Sequence, residues 1–159
     1  MDPVRSSLTA GVVATLVLAA VLVGIDLLFA GGDALAFAAF TTPCALVGPP
    51  YCAAAGASAV VLTAVWFLAL FALAWPLLFA GFTWGLPGES GAVHGAVFGL
   101  VLAAGYMARG ISTFGPGWVV VALVVLAYLV YGVVLGTAYD RLAAHRALLE
   151  TAEPAKTRA

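Results

Sequence analysis

Four long apolar runs constrain the fold of this chain more than any other feature of its sequence. They cover residues 8–30, 54–82, 90–108 and 117–139. A helix needs about 20 apolar residues to cross a hydrocarbon core of ~30 Å, and these runs match that length. The chain is 65% hydrophobic and 8% charged, whereas a soluble domain is roughly 25% charged. We therefore predict one all-α domain, a bundle of four transmembrane helices.

The distribution of positive charge predicts the orientation of this bundle. With four spans, the two tails lie on the same side of the membrane. They hold most of the cations, namely Arg5, Arg141, Arg146, Lys156 and Arg158. Because cytoplasmic segments are enriched in Lys and Arg, we expect both termini in the cytoplasm and a multi-pass protein of the plasma membrane.

The segments between and after the apolar runs carry further expectations. A polar head ends at Ser7, and residues 31–53 form a long external loop that is itself largely apolar. Pro76 is expected to kink the second helix because proline removes a backbone hydrogen bond. Residues 140–159 form a cytoplasmic tail, which we expect to stay helical until about Glu153 and to end at Pro154.

The third helix carries a small residue at every fourth position. The residues are Gly91, Gly95, Gly99 and Ala103, and the fourth helix has a similar pair, Gly132 and Gly136. This spacing places the small residues on one helix face, as in a glycine zipper. In lipid such a face lets a neighbouring backbone approach closely. We therefore predict that these six residues pack helices together.

The two cysteines of the chain, Cys44 and Cys52, both fall in the predicted external loop. Oxidising conditions outside the cell favour a disulfide between them. The alternative is a pair of free thiols in apolar surroundings, since cysteine is often simply buried. We favour the disulfide.

Three polar residues within or at the ends of the apolar runs form a possible polar site. Asp26 lies near the outer end of the first helix, and Arg109 ends the third helix on the same side. Ionisable groups at membrane depth are usually paired or functional, so they can form an ion pair or part of an ion path. His94 lies inside the third helix, where it can bind a ligand or bond to a neighbouring helix.

The composition excludes some functions and favours a non-catalytic one. A net charge of −1 with six Lys and Arg is too little positive charge for a nucleic-acid groove. We find no phosphate loop, no Ser/His/Asp set and no metal-ligand cluster, so we expect no enzyme, cofactor or metal. The favoured role is an accessory or assembly subunit of a larger membrane complex, for example a respiratory one, with the bilayer and a membrane protein or a second copy as partners. The alternative is a small transporter or channel for protons, ions or a small solute.

Short sequence patches also resemble a known family. They are residues 75–79 (WPLLF), 94–99 (HGAVFG), 128–132 (YLVYG) and 136–139 (GTAY). In this order they resemble a family of archaeal and bacterial four-helix membrane proteins, classed as a domain of unknown function. The resemblance covers the chain from the second helix onward and implies the fold without an activity. The family often has a histidine where this chain has Tyr128, so a pair of histidine ligands is not implied here.

Overall fold

The computed structural model describes residues 3–29, 57–83, 85, 90–114 and 118–156. Within these residues α1 is Pro3–Phe29. α2 is α-helical over Ala57–Leu68, π-helical over Ala69–Ala74 and α-helical again over Trp75–Thr83. α3 is Gly91–Phe114 and α4 is Trp118–Lys156. The described part of the chain therefore confirms the prediction of an all-α protein with four helices.

The first helix starts earlier than the sequence predicts. α1 begins at Pro3 rather than at Leu8. Proline is tolerated in the first turn of a helix because its missing N–H has no partner there. Ser6 and Ser7 are buried in the bundle, so this stretch belongs to the packed structure and the expectation of a polar head is wrong for it.

The last two helices run further than the sequence predicts. α3 ends at Phe114 rather than at residue 108, since the next residue that cannot continue a helix is Pro116. α4 continues past Pro154 to Lys156, two residues beyond the proline that we expected to end it. The external loop with Cys44 and Cys52 lies outside the described residues, so the disulfide stays a prediction that thiol alkylation with and without reductant can test.

Three helices are long and apolar enough to cross a membrane. The qualifying segments are Val4–Gly24 in α1, Ala64–Thr83 in α2 and Val125–Ala144 in α4. In α3 the corresponding apolar stretch among the described residues is shorter, Gly91–Gly105. By length and composition the structure therefore accounts for three of the four predicted spans.

α4 is the main packing partner in the bundle. Both α3 and α1 pack along it, α2 packs against α1, and α2 meets α3 over a shorter contact. This order places α1 and α3 at opposite corners. α3 and α4 are antiparallel, because Gly91 lies against Gly136 whereas Gly99 lies against Tyr128.

One end of the bundle collects several polar residues. The hydroxyl of Ser7 in α1 donates to the carbonyl of Pro76 in α2. One turn further along α2, Phe79 contacts Tyr139 of α4, with the ring centroids 5.9 Å apart. Asp140 follows, and we call this end of the bundle the Asp140 end.

The outer surface of the bundle is aliphatic on every helix. Leu16 of α1 is 66% exposed, Val61 of α2 is 63%, Val93 of α3 is 60% and Leu126 of α4 is 53%. By contrast, Ser6, Ser7, Thr15 and His94 are buried. The described helices therefore bury four polar side chains within a mainly apolar core and expose large aliphatic side chains on their outer surface.

Candidate functional site

α3 and α4 pack closely against each other through glycines. A Cβ added at Gly95 would overlap the carbonyl of Gly132, and a Cβ at Gly132 would overlap the carbonyl of Gly95. A Cβ at Gly136 would overlap the carbonyl of Gly91. The two backbones are therefore in direct contact, and no other residue type fits without moving a helix.

We call this contact the glycine seam, made of Gly91, Gly95, Gly99, Gly132 and Gly136. At its far end Gly99 lies against the carbonyl of Tyr128. Ala103, one turn further along α3, is buried. The structure thus brings the five glycines singled out from the sequence into one interface between two antiparallel helices.

The seam ends at a charged residue that the sequence analysis assigned to the tail. The backbone N–H of Gly91 donates to Oδ2 of Asp140, at 2.6 Å. Gly91 is the first residue of α3, where backbone N–H groups have no partner within the helix and a negative charge is stabilising. Asp140 therefore caps α3 from another helix.

A signal for Asp140 is present in the sequence. Gly132, Gly136 and Asp140 follow one another at every fourth position, so Asp140 lies on the helix face that carries the two glycines. In an antiparallel pair this face of α4 reaches the start of α3 where the glycines of α3 begin. The aspartate is missed because the apolar run ends at Tyr139.

Two of the three residues of the predicted polar site, His94 and Arg109, lie far apart in α3. His94 is 9% exposed and lies in the first turns of α3, near the Asp140 end. Arg109 is fifteen residues later in the same helix, which is about 22 Å along the axis. Asp26 lies in the last turn of α1, and α1 and α3 are at opposite corners. The side chains of Asp26 and Arg109 are outside the described residues, so their pairing stays a prediction.

His94 is placed beside an aromatic cluster. One turn after it on α3, Phe98 contacts Phe79 and Phe82 of α2, each with ring centroids 5.4 Å apart. The backbone N–H of His94 donates to the carbonyl of Ser90, the residue just before α3, at 3.1 Å. Among the residues that the structure describes, no group of three or more His, Cys, Asp and Glu could hold a metal ion.

A second polar contact lies in the aromatic layer between α2 and α4. The hydroxyl of Tyr131 donates to the carbonyl of Phe71 at 2.6 Å, and both residues are buried. Their rings meet edge to face, with centroids 5.2 Å apart. The sequence analysis found the nearby Pro76 but not this contact, because the pairing of Tyr131 with α2 depends on helix packing.

The comparisons with known proteins give a family and no activity. The chain belongs to a family of unknown function, DUF6789, whose model matches residues 1–150. This match includes α1 and most of α4, and so extends beyond the region that the sequence patches cover. Neither a curated protein nor a solved structure matches the chain.

Proposed function

We propose that this member of the DUF6789 family is a non-catalytic, multi-pass protein of the plasma membrane. In this proposal it is an accessory or assembly subunit of a larger membrane complex. The observation that carries the proposal is the aliphatic outer surface of the described helices, together with buried hydroxyl groups that bond to backbone carbonyls inside the bundle.

The aliphatic surface supports a position in lipid. Soluble monomers rarely expose large contiguous apolar patches, whereas here each helix carries exposed Leu or Val. The buried hydroxyls, in turn, bond to backbone carbonyls: Ser7 to Pro76, Thr15 to Gly11 and Tyr131 to Phe71. These bonds satisfy the three hydroxyl groups without water, as a hydrocarbon environment demands.

The packing of the interior supports a structural role. The glycine seam brings two backbones into contact, and the other side of α4 is filled by Tyr131 and Leu135, which are fully buried. α1 adds Leu18 and Leu22, which are also fully buried. A bundle filled in this way presents fixed outer faces, which suits a subunit that other membrane helices assemble against.

The positions of the described cations support the proposed orientation. Arg5 and Arg141 are exposed and lie at the Asp140 end of the bundle, so the positive-inside rule favours a cytoplasmic Asp140 end. A reporter enzyme fused after Ala159 is therefore expected to be active only in the cytoplasm. Activity of that fusion outside the cell would contradict this orientation.

The test of the proposed function is purification of the tagged chain from its own membranes in mild detergent. We expect a stoichiometric complex with a membrane protein, larger than the chain with its micelle. Two surface variants serve as matched controls: Leu16→Trp on α1 and Val93→Trp on α3 enlarge opposite corners of the bundle. A partner seated against one corner is lost from one variant and retained by the other, whereas contaminants are retained by both.

The competing function gives a different result in a second measurement. Chain that purifies alone is reconstituted in liposomes, and the flux of protons and small ions is compared with protein-free liposomes. Flux above that background, together with the absence of a stoichiometric partner, would replace the accessory role with a transporter or channel.

A further inference from the structure

His94 is a buried imidazole without a hydrogen-bond partner in the described part of the chain. Its side chain is 9% exposed, and no hydrogen bond joins its ring to another described group. The sequence leaves two roles open for this histidine, a bond to a neighbouring helix or a bound ligand. The large majority of buried polar side chains have a partner. Since no described helix supplies one, the structure favours the second role.

The nitrogens of this imidazole remain open to a ligand. Among the described residues, the indole nitrogens of Trp66 and Trp75 also lack an acceptor, but they are fully enclosed by the protein. The imidazole nitrogens of His94 are not enclosed in this way. A ligand atom can therefore approach His94 without a rearrangement of the helices.

The position of His94 determines where the polar part of a ligand would lie. His94 is the fourth residue of α3, which is about 5 Å along the axis from its first residue. One turn later on the same helix, Phe98 contacts Phe79 and Phe82 of α2, with ring centroids 5.4 Å apart in each pair. A ligand bound here has its polar group near the Asp140 end and its apolar part beside aromatic rings.

The chemistry of imidazole narrows the ligand class. A neutral imidazole has one N–H donor and one nitrogen acceptor, so it can bond to a carbonyl oxygen or to a hydroxyl. A quinone offers a carbonyl when oxidised and a hydroxyl when reduced, on a planar ring that can contact aromatic side chains. A metal ion fits less well, because the described residues contain no group of three or more His, Cys, Asp and Glu that could hold it.

We propose that His94 binds the ring of a lipid-soluble quinone at the Asp140 end of the bundle, between α3 and the end of α2. The imidazole hydrogen-bonds to an oxygen of the quinone, the aromatic cluster of Phe82 and Phe98 lies beside its ring, and its tail extends into the lipid. The inference concerns binding and includes no electron transfer. It rests on the membrane setting of the proposed function and not on the accessory role, so a chain that retains a protein partner but binds no quinone contradicts this inference alone.

The experiment follows the two histidines of the chain by nuclear magnetic resonance, in protein that carries isotopically labelled histidine and is purified in detergent. His94 reports the site, and His145, in the tail of α4, is the internal control. Decylubiquinone is titrated at constant detergent, and decylbenzene is the matched probe with the same tail and no oxygen. We expect the ring nitrogens of His94 to shift with saturation for decylubiquinone only, while those of His145 stay unchanged.

Variants at the two histidines measure how much the imidazole contributes to binding. His94→Phe keeps an aromatic ring and removes both nitrogens, so the Kd for decylubiquinone should rise about tenfold, as for the loss of a buried hydrogen bond. His94→Gln supplies a donor and an acceptor and should recover part of the affinity. His145→Phe should bind as the parent does. If His94→Phe does not fold, His94→Gln and the labelled parent decide the outcome.

The proposal is overturned by any of four results. A site that holds only water leaves the His94 signals unmoved by decylubiquinone. Equal shifts for both histidines, or for both probes, mean that the quinone only enters the micelle. Full affinity in His94→Phe places the quinone elsewhere. Finally, organic extraction of the chain purified from its own membranes should yield a quinone, and a stoichiometric phospholipid in its place would assign the site to lipid.

Discussion

The two faces of α4 are packed in opposite ways. Towards α3 it presents Gly132 and Gly136, and the partner is a backbone. Towards α2 it presents Tyr131, and the partner is a ring and a carbonyl. Gly132 and Tyr131 are neighbours in sequence. A single turn of α4 therefore contacts α3 through its backbone and α2 through a large aromatic side chain.

This difference determines which interface can adapt. Between membrane helices the hydrophobic effect gives little drive for association, and close packing and hydrogen bonds take its place. Backbone atoms have no alternative rotamers, so a larger residue in the glycine seam forces α3 and α4 apart. An aromatic contact can shift its rings and keep part of its packing, so the α2 side of the bundle should tolerate substitutions that the seam cannot.

The largest expected effect is that of Gly95→Leu. Even the Cβ overlaps the Gly132 carbonyl, so the helices must separate. The cost should reach or exceed the ~1–3 kcal/mol typical of overpacking. We expect loss of most folded protein, measured by size exclusion and thermal unfolding in detergent. Val97→Leu, at an exposed position of the same helix, is the control and should behave as the parent; the reverse result would mean that α3 packs by another face.

On the aromatic side, Phe79→Leu should cost less. Phe79 is fully buried and touches Phe98 and Tyr139 edge to face. Leucine loses these ring contacts, worth about 0.5–1.5 kcal/mol each, but it fills much of the same space. We expect a folded protein with a lower midpoint of thermal unfolding. A Phe79→Leu protein as damaged as Gly95→Leu would remove the distinction between the two faces.

At the end of the seam, Asp140→Ala removes the cap of α3 without changing the glycines. Loss of a capping side chain typically costs about 0.5–2 kcal/mol. We expect a small decrease in thermal stability and faster hydrogen exchange confined to the first turn of α3. Arg141→Ala, at the exposed neighbouring position, removes a charge of the opposite sign from the next residue and should leave that exchange unaltered.

The smallest expected effect has the opposite sign. Gly105 lies on α3 beyond the seam, and a Cβ there would meet nothing within 4 Å. Gly105→Ala should therefore stabilise the helix by about 0.5–1 kcal/mol, because alanine loses less conformational entropy than glycine on folding. A destabilised Gly105→Ala protein would show that a neighbour outside the described residues occupies this position.

The sequence predicted the parts of this structure that depend on local patterns. Four apolar runs gave four helices, and the fourfold spacing in α3 and α4 identified the glycines that form the seam. The pairing of Gly95 with Gly132 could not be read in the same way, because the register between two helices depends on packing along their whole length. The start of α1 was missed because Ser6 and Ser7 are polar in sequence but buried by α1's neighbours.

The polar features of the site were predicted less well, for two physical reasons. Asp26, His94 and Arg109 were grouped because polar and charged residues are rare in apolar runs. His94 and Arg109 are nevertheless fifteen residues apart in α3, which is about 22 Å along the helix axis. Ser7, Tyr131 and Asp140 form the described polar contacts between helices instead. In the sequence Tyr131 looks like an ordinary aromatic core residue, and Asp140 lies just after an apolar run. Only the three-dimensional arrangement therefore reveals their hydrogen bonds.

The length of α4 has a consequence for the proposed membrane setting. The helix has 39 residues, which is about 58 Å at 1.5 Å per residue, roughly twice a hydrocarbon core of ~30 Å. The glycine seam joins it rigidly to α3 through its middle. Its last turns then act as a spacer of constant length, and a protein that binds them would be kept at one height above the lipid headgroups and would turn whenever α4 turns.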